Sequence, residues 1–313
     1  MKRFLSDFLI CPACLPEEVS LNLQIYEIED NDVLYGVLSC KKCGVIYKIE
    51  EGVGILTSDF PYKQASNSKY ENPRVVSSYL WSHYGDLMND PEWLSSYLEW
   101  TRLMEKTSGF SLDIGCAVGR FTFEMTEKCD FSIGFDLSLS FIKTARDLMK
   151  KGALIVELTE EGEITSSVLI ELPENINRQK VEFIVADALN IPFPKGFFTQ
   201  VASLNIIDKV PSPMRHLKEM NRVSSDKFAQ LLISDPFSWN EDVASIKEWL
   251  GGKKDGEFSG FAHDNVGKIL KGFGNHIIPP WKIERKGAIN WKIRNHRNHS
   301  EFIKSLYIKA ERE

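Results

Sequence analysis

Residues 21–28 and 33–38 alternate apolar and polar positions, the period-two pattern of strands with one face buried, and predict a hairpin close to the start of the chain. Further on the pattern changes. Residues 111–115, 131–136, 181–187, 198–207 and 228–235 are short, mostly apolar runs, as expected of strands covered on both faces. Amphipathic stretches between them predict helices, one running from about residue 120 through Lys128 and one ending at Val223. An aromatic-rich region over residues 73–106 reads as helical and precedes the first of these strands. Strands alternating with helices predict an α/β domain whose mostly parallel, Rossmann-like sheet carries helices on both faces.

With 313 residues there is room for about two domains. The polar stretch 58–69, with Pro61 and several Ser, Asn and Lys residues, is the expected linker. The predicted organisation is a small domain over 1–57, a linker and helical lid over 58–100, and a larger domain over 101–313. A content of 43% hydrophobic and 26% charged residues is that of a folded globular protein. The net charge of -6 supplies no overall cationic field for nucleic acid. No run approaches the roughly 18 apolar residues of a membrane span, and no signal core develops at the start, so a cytoplasmic protein without a membrane partner is expected.

Four of the six cysteines form two Cys-x-x-Cys pairs, Cys11/Cys14 and Cys40/Cys43. Two residues between paired thiols let one tight turn aim both sulfurs at a single ion, and four thiolates close a tetrahedral zinc site to substrate. The expectation is structural Zn2+, whose binding would stabilise a segment too small to bury a large core. A redox dithiol needs only one pair, beside a βαβ unit, and is the weaker reading. The isolated Cys116 and Cys129 are expected to be buried packing residues.

In the larger half, Gly115 and Gly119 stand where the first buried strand turns into a helix, allowing close approach of a ligand to the backbone and to free N–H groups at the helix start. Asp136 closes the second strand 23 positions after Asp113, where a carboxylate can accept both hydroxyls of an adenosine ribose. Asp187 closes the third strand, and Asn205 lies at the end of the fourth. Asp113 and Asp187 each have a local alternative as turn or cap residues. The spacing Asp-x-Gly-x-x-x-Gly departs from the dinucleotide fingerprint Gly-x-Gly-x-x-Gly and argues against a dehydrogenase.

The motifs Leu112-Asp113-Ile114-Gly115-Cys116-Ala117-Val118-Gly119, Gly134-Phe135-Asp136 and Ala186-Asp187-Ala188 resemble the class I S-adenosylmethionine-dependent methyltransferases over about residues 101–240. The resemblance implies S-adenosylmethionine as cofactor. It places Asp113, Gly115, Cys116 and Gly119 along the methionine part, Asp136 on the ribose, Asp187 and Ala188 at the adenine, and Asn205 beside the sulfonium. Residues 1–56, through Cys40-Lys41-Lys42-Cys43-Gly44 and Tyr47-Lys48-Ile49-Glu50-Glu51-Gly52, resemble the zinc-ribbon family of small methyltransferase-activating proteins. A protein partner through this ribbon follows as an expectation.

The segments 204–208, 236–239, 249–252 and 293–299, with the insertion 156–172, are similar to the methyltransferase domain of ovothiol synthase, which methylates an imidazole nitrogen of a thiolated histidine. This chain carries a zinc ribbon in place of that enzyme's sulfoxide-synthase portion. The implied substrate is a small amino-acid-like or imidazole-containing molecule, methylated on nitrogen or sulfur. Asp208 and His296 are the candidates for removing a proton or orienting the nucleophile. Asp208 has a competing role in the turn before Pro211. Arg294 and Arg297 are candidates for a substrate carboxylate, with a solvated basic loop as the plain alternative. Tyr84, with Tyr70, Trp81 and His83, is a candidate lid over the pocket, against simple core packing. Two rival readings are an RNA methyltransferase that grips its substrate with the ribbon and a non-catalytic ligand-sensing adaptor.

Overall fold

The computed structural model describes residues 1–57 and 69–313; the expected linker therefore lies almost entirely outside the described residues. Four strands come first: β1 (Leu21–Glu29), β2 (Asp32–Cys40), β3 (Ile46–Glu50) and β4 (Val53–Leu56). Helices α1 (Pro73–Tyr84) and α2 (Ser96–Arg102) follow, separated by a turn rather than forming one long element. Asn72 caps α1 by accepting the Arg74 N–H, and Pro73 occupies the first turn, where a missing N–H costs nothing.

The larger half then runs β5 (Phe110–Ile114), α3 (Arg120–Glu124), β6 (Phe131–Asp136), α4 (Leu139–Lys151), β7 (Ala153–Glu161), β8 (Ile164–Glu171), β9 (Val181–Ala186) and β10 (Phe198–Leu204). It closes with α5 (Pro213–Val223), β11 (Ala229–Asp235), α6 (Ala262–Leu270), β12 (Lys282–His296) and β13 (His299–Arg312). The predicted five-strand series is present, and the insertion 156–172 is a separate two-stranded hairpin, β7–β8.

All the other strands join one sheet of order β1-β2-β3-β4-β9-β6-β5-β10-β11-β13-β12. From β9 to β11 the pairs are parallel, so the carboxyl ends of β9, β6, β5, β10 and β11 lie along one rim. The chain steps from β5 to β6 and β9 on one side and returns to β10 and β11 on the other. The crevice at that reversal is where open α/β sheets bind ligands. Alternate residues of β9 divide between two cores: Ile184 and Ala186 face α5 and α6, and Phe183 and Val185 face α1 and α4. Helices thus cover both faces.

The boundary expected at residue 57 is not a boundary of the core. Strand β4 pairs in parallel with β9, Ile55 opposite Val185 and Leu56 opposite Ala186, so the ribbon extends the main sheet. Leu5, Leu9, Tyr47 and Leu56 belong to the same buried cluster as Leu112, Ile133 and Val201, while Val53 and Ile55 pack on the other face. A segment of under 60 residues has only a marginal core of its own, and this one borrows the edge of the larger sheet. Arg146 of α4 locks the join: it bonds Glu182 of β9 and both carboxylate oxygens of Asp32 at the start of β2, at 2.8 and 2.9 Å.

The long hairpin β12–β13 was not legible beforehand except as the basic segment 293–299. Strand β13 pairs antiparallel with β11, and its first residues run beyond the carboxyl end of β11. The hairpin tip packs on α1, where Trp291 donates to the Ser82 hydroxyl at 2.6 Å and Ser82 donates to the Lys292 carbonyl at 2.8 Å.

Candidate functional site

The turn from β5 into α3 is held in an unusual backbone path, with φ of 73° at Gly115, 45° at Ala117 and 88° at Gly119. Gly119 answers two demands at once. Its positive φ disfavours any Cβ, and a Cβ there would lie 2.7 Å from the Phe183 ring. The N–H groups of Gly115 and Cys116 both bond the Phe135 carbonyl, which pins the turn to the end of β6. The Val118 carbonyl accepts from the Tyr84 hydroxyl at 2.7 Å.

Asp136 sits at the end of β6, half-buried, as the sequence placed it. Its carboxylate accepts the Ala117 N–H at 3.1 Å and the Ser138 N–H at 2.9 Å, so it bridges the glycine turn and the start of α4. Burial raises its pKa to about 6, opposed by those backbone hydrogen bonds. Beside it lies a residue that sequence reasoning missed. Glu71 accepts the Ser140 hydroxyl at 2.6 Å through Oε2, while its buried Oε1 finds no partner among the described residues. An orphaned carboxylate oxygen next to Asp136 is an acceptor left over for a ligand hydroxyl. Nothing in the local pattern marked Glu71, because the fold alone brings it to the rim.

Asp113 is fully buried and accepts from the Thr122 hydroxyl at 2.6 Å, tying β5 to α3 from behind the turn. Burial pushes its pKa up to about 7, with Asp136 adding to the rise and the Thr122 bond opposing it. Cys116 is buried in the turn and its thiol is raised well above the usual range by that burial, so it is no nucleophile. Asp187 accepts from the Leu189 N–H and the Asn190 amide, both at 2.9 Å, and braces its own loop. The neighbouring Ala188 is buried, and its carbonyl faces His216 Nδ1 at 3.3 Å.

Asn205 follows β10 in a left-handed conformation, φ 61°, and its N–H bonds the Ser234 carbonyl at 2.6 Å. Its side-chain oxygen accepts from Ser305 of β13 at 2.5 Å. Asp208, one turn later, is buried and accepts the Ser238 N–H at 2.7 Å while pairing with Lys209 at 3.0 Å. Its own N–H reaches the Asp235 carboxylate at 3.4 Å. Burial raises the pKa of both acids, and for Asp235 the charge of Asp208 adds to the rise. The site rim therefore gathers Asp136, Glu71, Asn205 and Asp208.

Three expectations do not fit this placement. Tyr84 has no exposed surface and spends its hydroxyl on Val118, so it supports the glycine turn from inside the core and does not meet a substrate. Arg294 is engaged at the hairpin tip, its guanidinium 2.7 Å from Glu160 of β7. Neighbouring Arg297 is exposed and bonds the Glu160 carbonyl through its backbone N–H. His296 accepts the Asn298 N–H at 3.2 Å within the same tight turn and lies 5.5 Å, ring to ring, from His299. The tip is thus fastened to Glu160 of the β7–β8 hairpin.

The second candidate site is the cysteine cluster. One ligand atom from each of Cys11, Cys14, Cys40 and Cys43 lies within 4.8 Å of the others. The Cys11–Cys43 and Cys14–Cys40 sulfur separations are 3.6 and 3.7 Å, against ~3.8 Å for thiolates around a tetrahedral Zn2+. The Tyr47 hydroxyl, 3.3 Å from Cys11 Sγ, adds a hydrogen bond behind the ligands. The donor set fits zinc and leaves no open position.

Comparison with known proteins assigns the two halves separately. Residues 112–227 match the methyltransferase domain family, and residues 2–52 match the Trm112p-like protein family. Ajmaline N-methyltransferase of Rauvolfia serpentina is 26% identical over 131 residues, 42% of this chain and 37% of the relative. The chain thus spans little over a third of that curated relative. Among solved structures, a complex of the Haloferax volcanii Trm112 methyltransferase activator with a candidate methyltransferase aligns at TM-score 0.46 and 11% identity, covering 82% of this chain and 100% of that one. A Methanosarcina mazei methyltransferase aligns at TM-score 0.43 and 16% identity, over 66% and 92%. One chain thus carries, side by side, a match to the Trm112p-like protein family and a match to the methyltransferase domain family, the latter on a class I, Rossmann-like sheet.

Proposed function

We propose that this protein transfers the methyl group of S-adenosylmethionine to a nitrogen or sulfur of a small molecule, and that its own zinc ribbon serves as the activating subunit. The observation that carries the reading is the rim at the strand reversal, where Asp136 bridges the glycine turn and Glu71 holds an oxygen that has no partner among the described residues. Asp136 and Glu71 are the proposed acceptors for the ribose hydroxyls, and the turn from Gly115 to Gly119 the proposed backing for the methionine part. Asp187 and Ala188 would border the adenine and Asn205 the acceptor. The amino-acid-like or imidazole-containing acceptor implied by the ovothiol synthase resemblance falls within this reading.

When bound, S-adenosylmethionine supplies an electrophilic methyl on a sulfonium. The chain's own residues have to align a lone pair with it and keep water out, which accounts for large accelerations without a covalent enzyme intermediate. Ser305 holds the Asn205 carboxamide by its oxygen, so its N–H2 group is the part free to orient an acceptor. Asp208 is the proposed carboxylate for taking a proton, its ionised form supported by Lys209 and the Ser238 N–H.

The ribbon contributes through the sheet. It covers the β9 edge, and through Asp32 and Arg146 it supports α4, which begins immediately after Asp136. Calorimetry of zinc-loaded protein with S-adenosylhomocysteine tests the reading: micromolar binding is expected, and no heat of binding would overturn it. The RNA reading draws on the Trm112p-like match and on nine Lys and Arg against three Glu over residues 282–312. Much of that charge is already paired, Lys282 with Glu311, Lys292 with Glu92, Arg294 with Glu160 and Lys309 with Glu284, which favours the small molecule. RNA affinity falling steeply with salt would favour RNA instead.

A further inference from the structure

The loop that follows β9 is gripped by one face of α5. Arg215, His216, Glu219 and Arg222 stand at i, i+1, i+4 and i+7, which puts them on one side of the helix. Glu219 accepts the Ile191 N–H at 2.9 Å, and Arg222 donates to the Ile191 and Phe193 carbonyls, each at 2.7 Å. Those bonds have a plain reason, because Ile191 and Phe193 are buried and their backbone needs partners. Arg215 does not share it. Its side chain is exposed, where water would serve the same atoms, yet it donates to the Leu189 carbonyl at 2.9 Å and to the Asn190 side-chain oxygen.

The consequence runs to Asp187. With its oxygen taken by Arg215, the Asn190 carboxamide presents its N–H2 group to Asp187, 2.9 Å away. The other Asp187 oxygen accepts the Leu189 N–H at 2.9 Å, so both oxygens are held by a loop that α5 holds in turn. Each oxygen keeps a further lone pair for a ligand donor. His216 fixes the next residue. The Ala188 carbonyl can only accept, so His216 Nδ1 carries the proton there, at 3.3 Å, and Nε2 accepts from the Ser203 hydroxyl at 2.8 Å. Full burial lowers the imidazole pKa to about 4, against the raising pull of the Ala188 bond and the Asp187 charge, so the ring is neutral and this tautomer is kept.

We propose that Arg215 and His216 are positioning residues for the adenine end of the cofactor: Arg215 acts through Asn190 to aim the Asp187 carboxylate, and His216 sets the Ala188 backbone beside it. The chemistry they select is a 6-aminopurine, whose exocyclic N–H2 gives the carboxylate a donor, over a 6-oxopurine, whose oxygen would meet it as a second acceptor. A site arranged for a hydrogen bond rejects the analogue that cannot make it, because a polar group is left unpaired. The inference rests on the methyltransferase reading, in which Asp187 and Ala188 border the adenine.

The test titrates the full zinc-loaded chain with S-adenosylhomocysteine and with S-inosylhomocysteine, in which oxygen replaces the 6-amino group. The ratio of the two affinities is the readout, since a variant that merely folds less well loses both alike. The wild type should prefer the adenosyl compound by at least about tenfold, the scale of a hydrogen bond to a charged group. Arg215→Met, which keeps the stem and removes the donors, should lower the ratio by about three- to ten-fold, and Arg215→Lys, which returns a donor, should restore part of it. His216→Leu should lower the ratio by a similar factor. A wild-type ratio near one, or an unchanged ratio in either Arg215→Met or His216→Leu, would overturn the proposal. Failure of S-adenosylhomocysteine to bind any form sinks the methyltransferase reading instead. The brace is then judged on its own by hydrogen exchange: the Leu189 amide should exchange faster in Arg215→Met than in the wild type, and equal rates would remove Arg215 from any positioning role.

Discussion

Asp136 and Asp113 stand one strand apart and do different work. Asp136 offers its carboxylate at the rim, so Asp136→Ala should weaken S-adenosylhomocysteine by at least about tenfold, the scale of charge-assisted hydrogen bonds lost to ligand hydroxyls. Circular dichroism should be unchanged, and calorimetry reads the loss. Asp113 is spent inside the fold, and its raised pKa has a consequence for stability. Between its ordinary value of 3.8 and about 7 the folded chain holds a proton that the unfolded chain has released. The contribution of this group is therefore full at low pH and is lost as pH rises through that window. Asp113→Asn keeps an acceptor for Thr122 and removes the titration. Its melting temperature should exceed that of the wild type at pH 8 by more than at pH 5, as thermal melts at the two pH values would show.

At the level of elements, the decisive join is between the ribbon and the sheet. Arg146 is 3% exposed and Glu182 fully buried, and removing Arg146 strips Glu182 of its largest opposing charge, leaving the N-terminal ammonium and Lys2 to compensate in part. Arg146→Met should cost about 3–5 kcal/mol in urea unfolding. The double variant Arg146→Met/Glu182→Leu should recover part of that loss, which separates the charge effect from simple packing. Sequence reasoning reached the strands and the four cysteines because both leave local marks, a period of two and a spacing of two. It did not reach the Asp32–Arg146–Glu182 network, whose members are 114 and 36 positions apart. Tyr84 stays open between lid and core packing in the sequence for the same reason, since an aromatic at helical spacing looks alike whether it faces a ligand or the back of a turn; the structure puts it in the core.

Across the whole molecule, two family matches coexist with one continuous sheet, and the expected consequence is one unfolding transition. All seven tryptophans lie after residue 80, and all four zinc-site cysteines lie before residue 44. Tryptophan fluorescence thus reports the larger half, and zinc release to a chromogenic chelator reports the ribbon. In a urea titration the two curves should coincide; a zinc-release midpoint well below the fluorescence midpoint would show that the ribbon melts alone. Stripping zinc with a chelator should lower S-adenosylhomocysteine affinity as well, through β4 and α4.

The sequence by itself determined the five parallel strands, the glycine turn, the aspartate at the end of the second strand and the zinc ligands. Each of these is dictated by residues within a few positions of one another, where sterics, side-chain periodicity and metal geometry act locally. Only the tertiary structure decided that the ribbon is the edge of the main sheet, that Glu71 reaches the rim beside Asp136, that Ser305 holds Asn205, and that the hairpin tip is occupied by Glu160. These pairings join residues far apart in the chain, and which of many chemically equivalent partners meet is settled by how the layers pack to bury apolar surface.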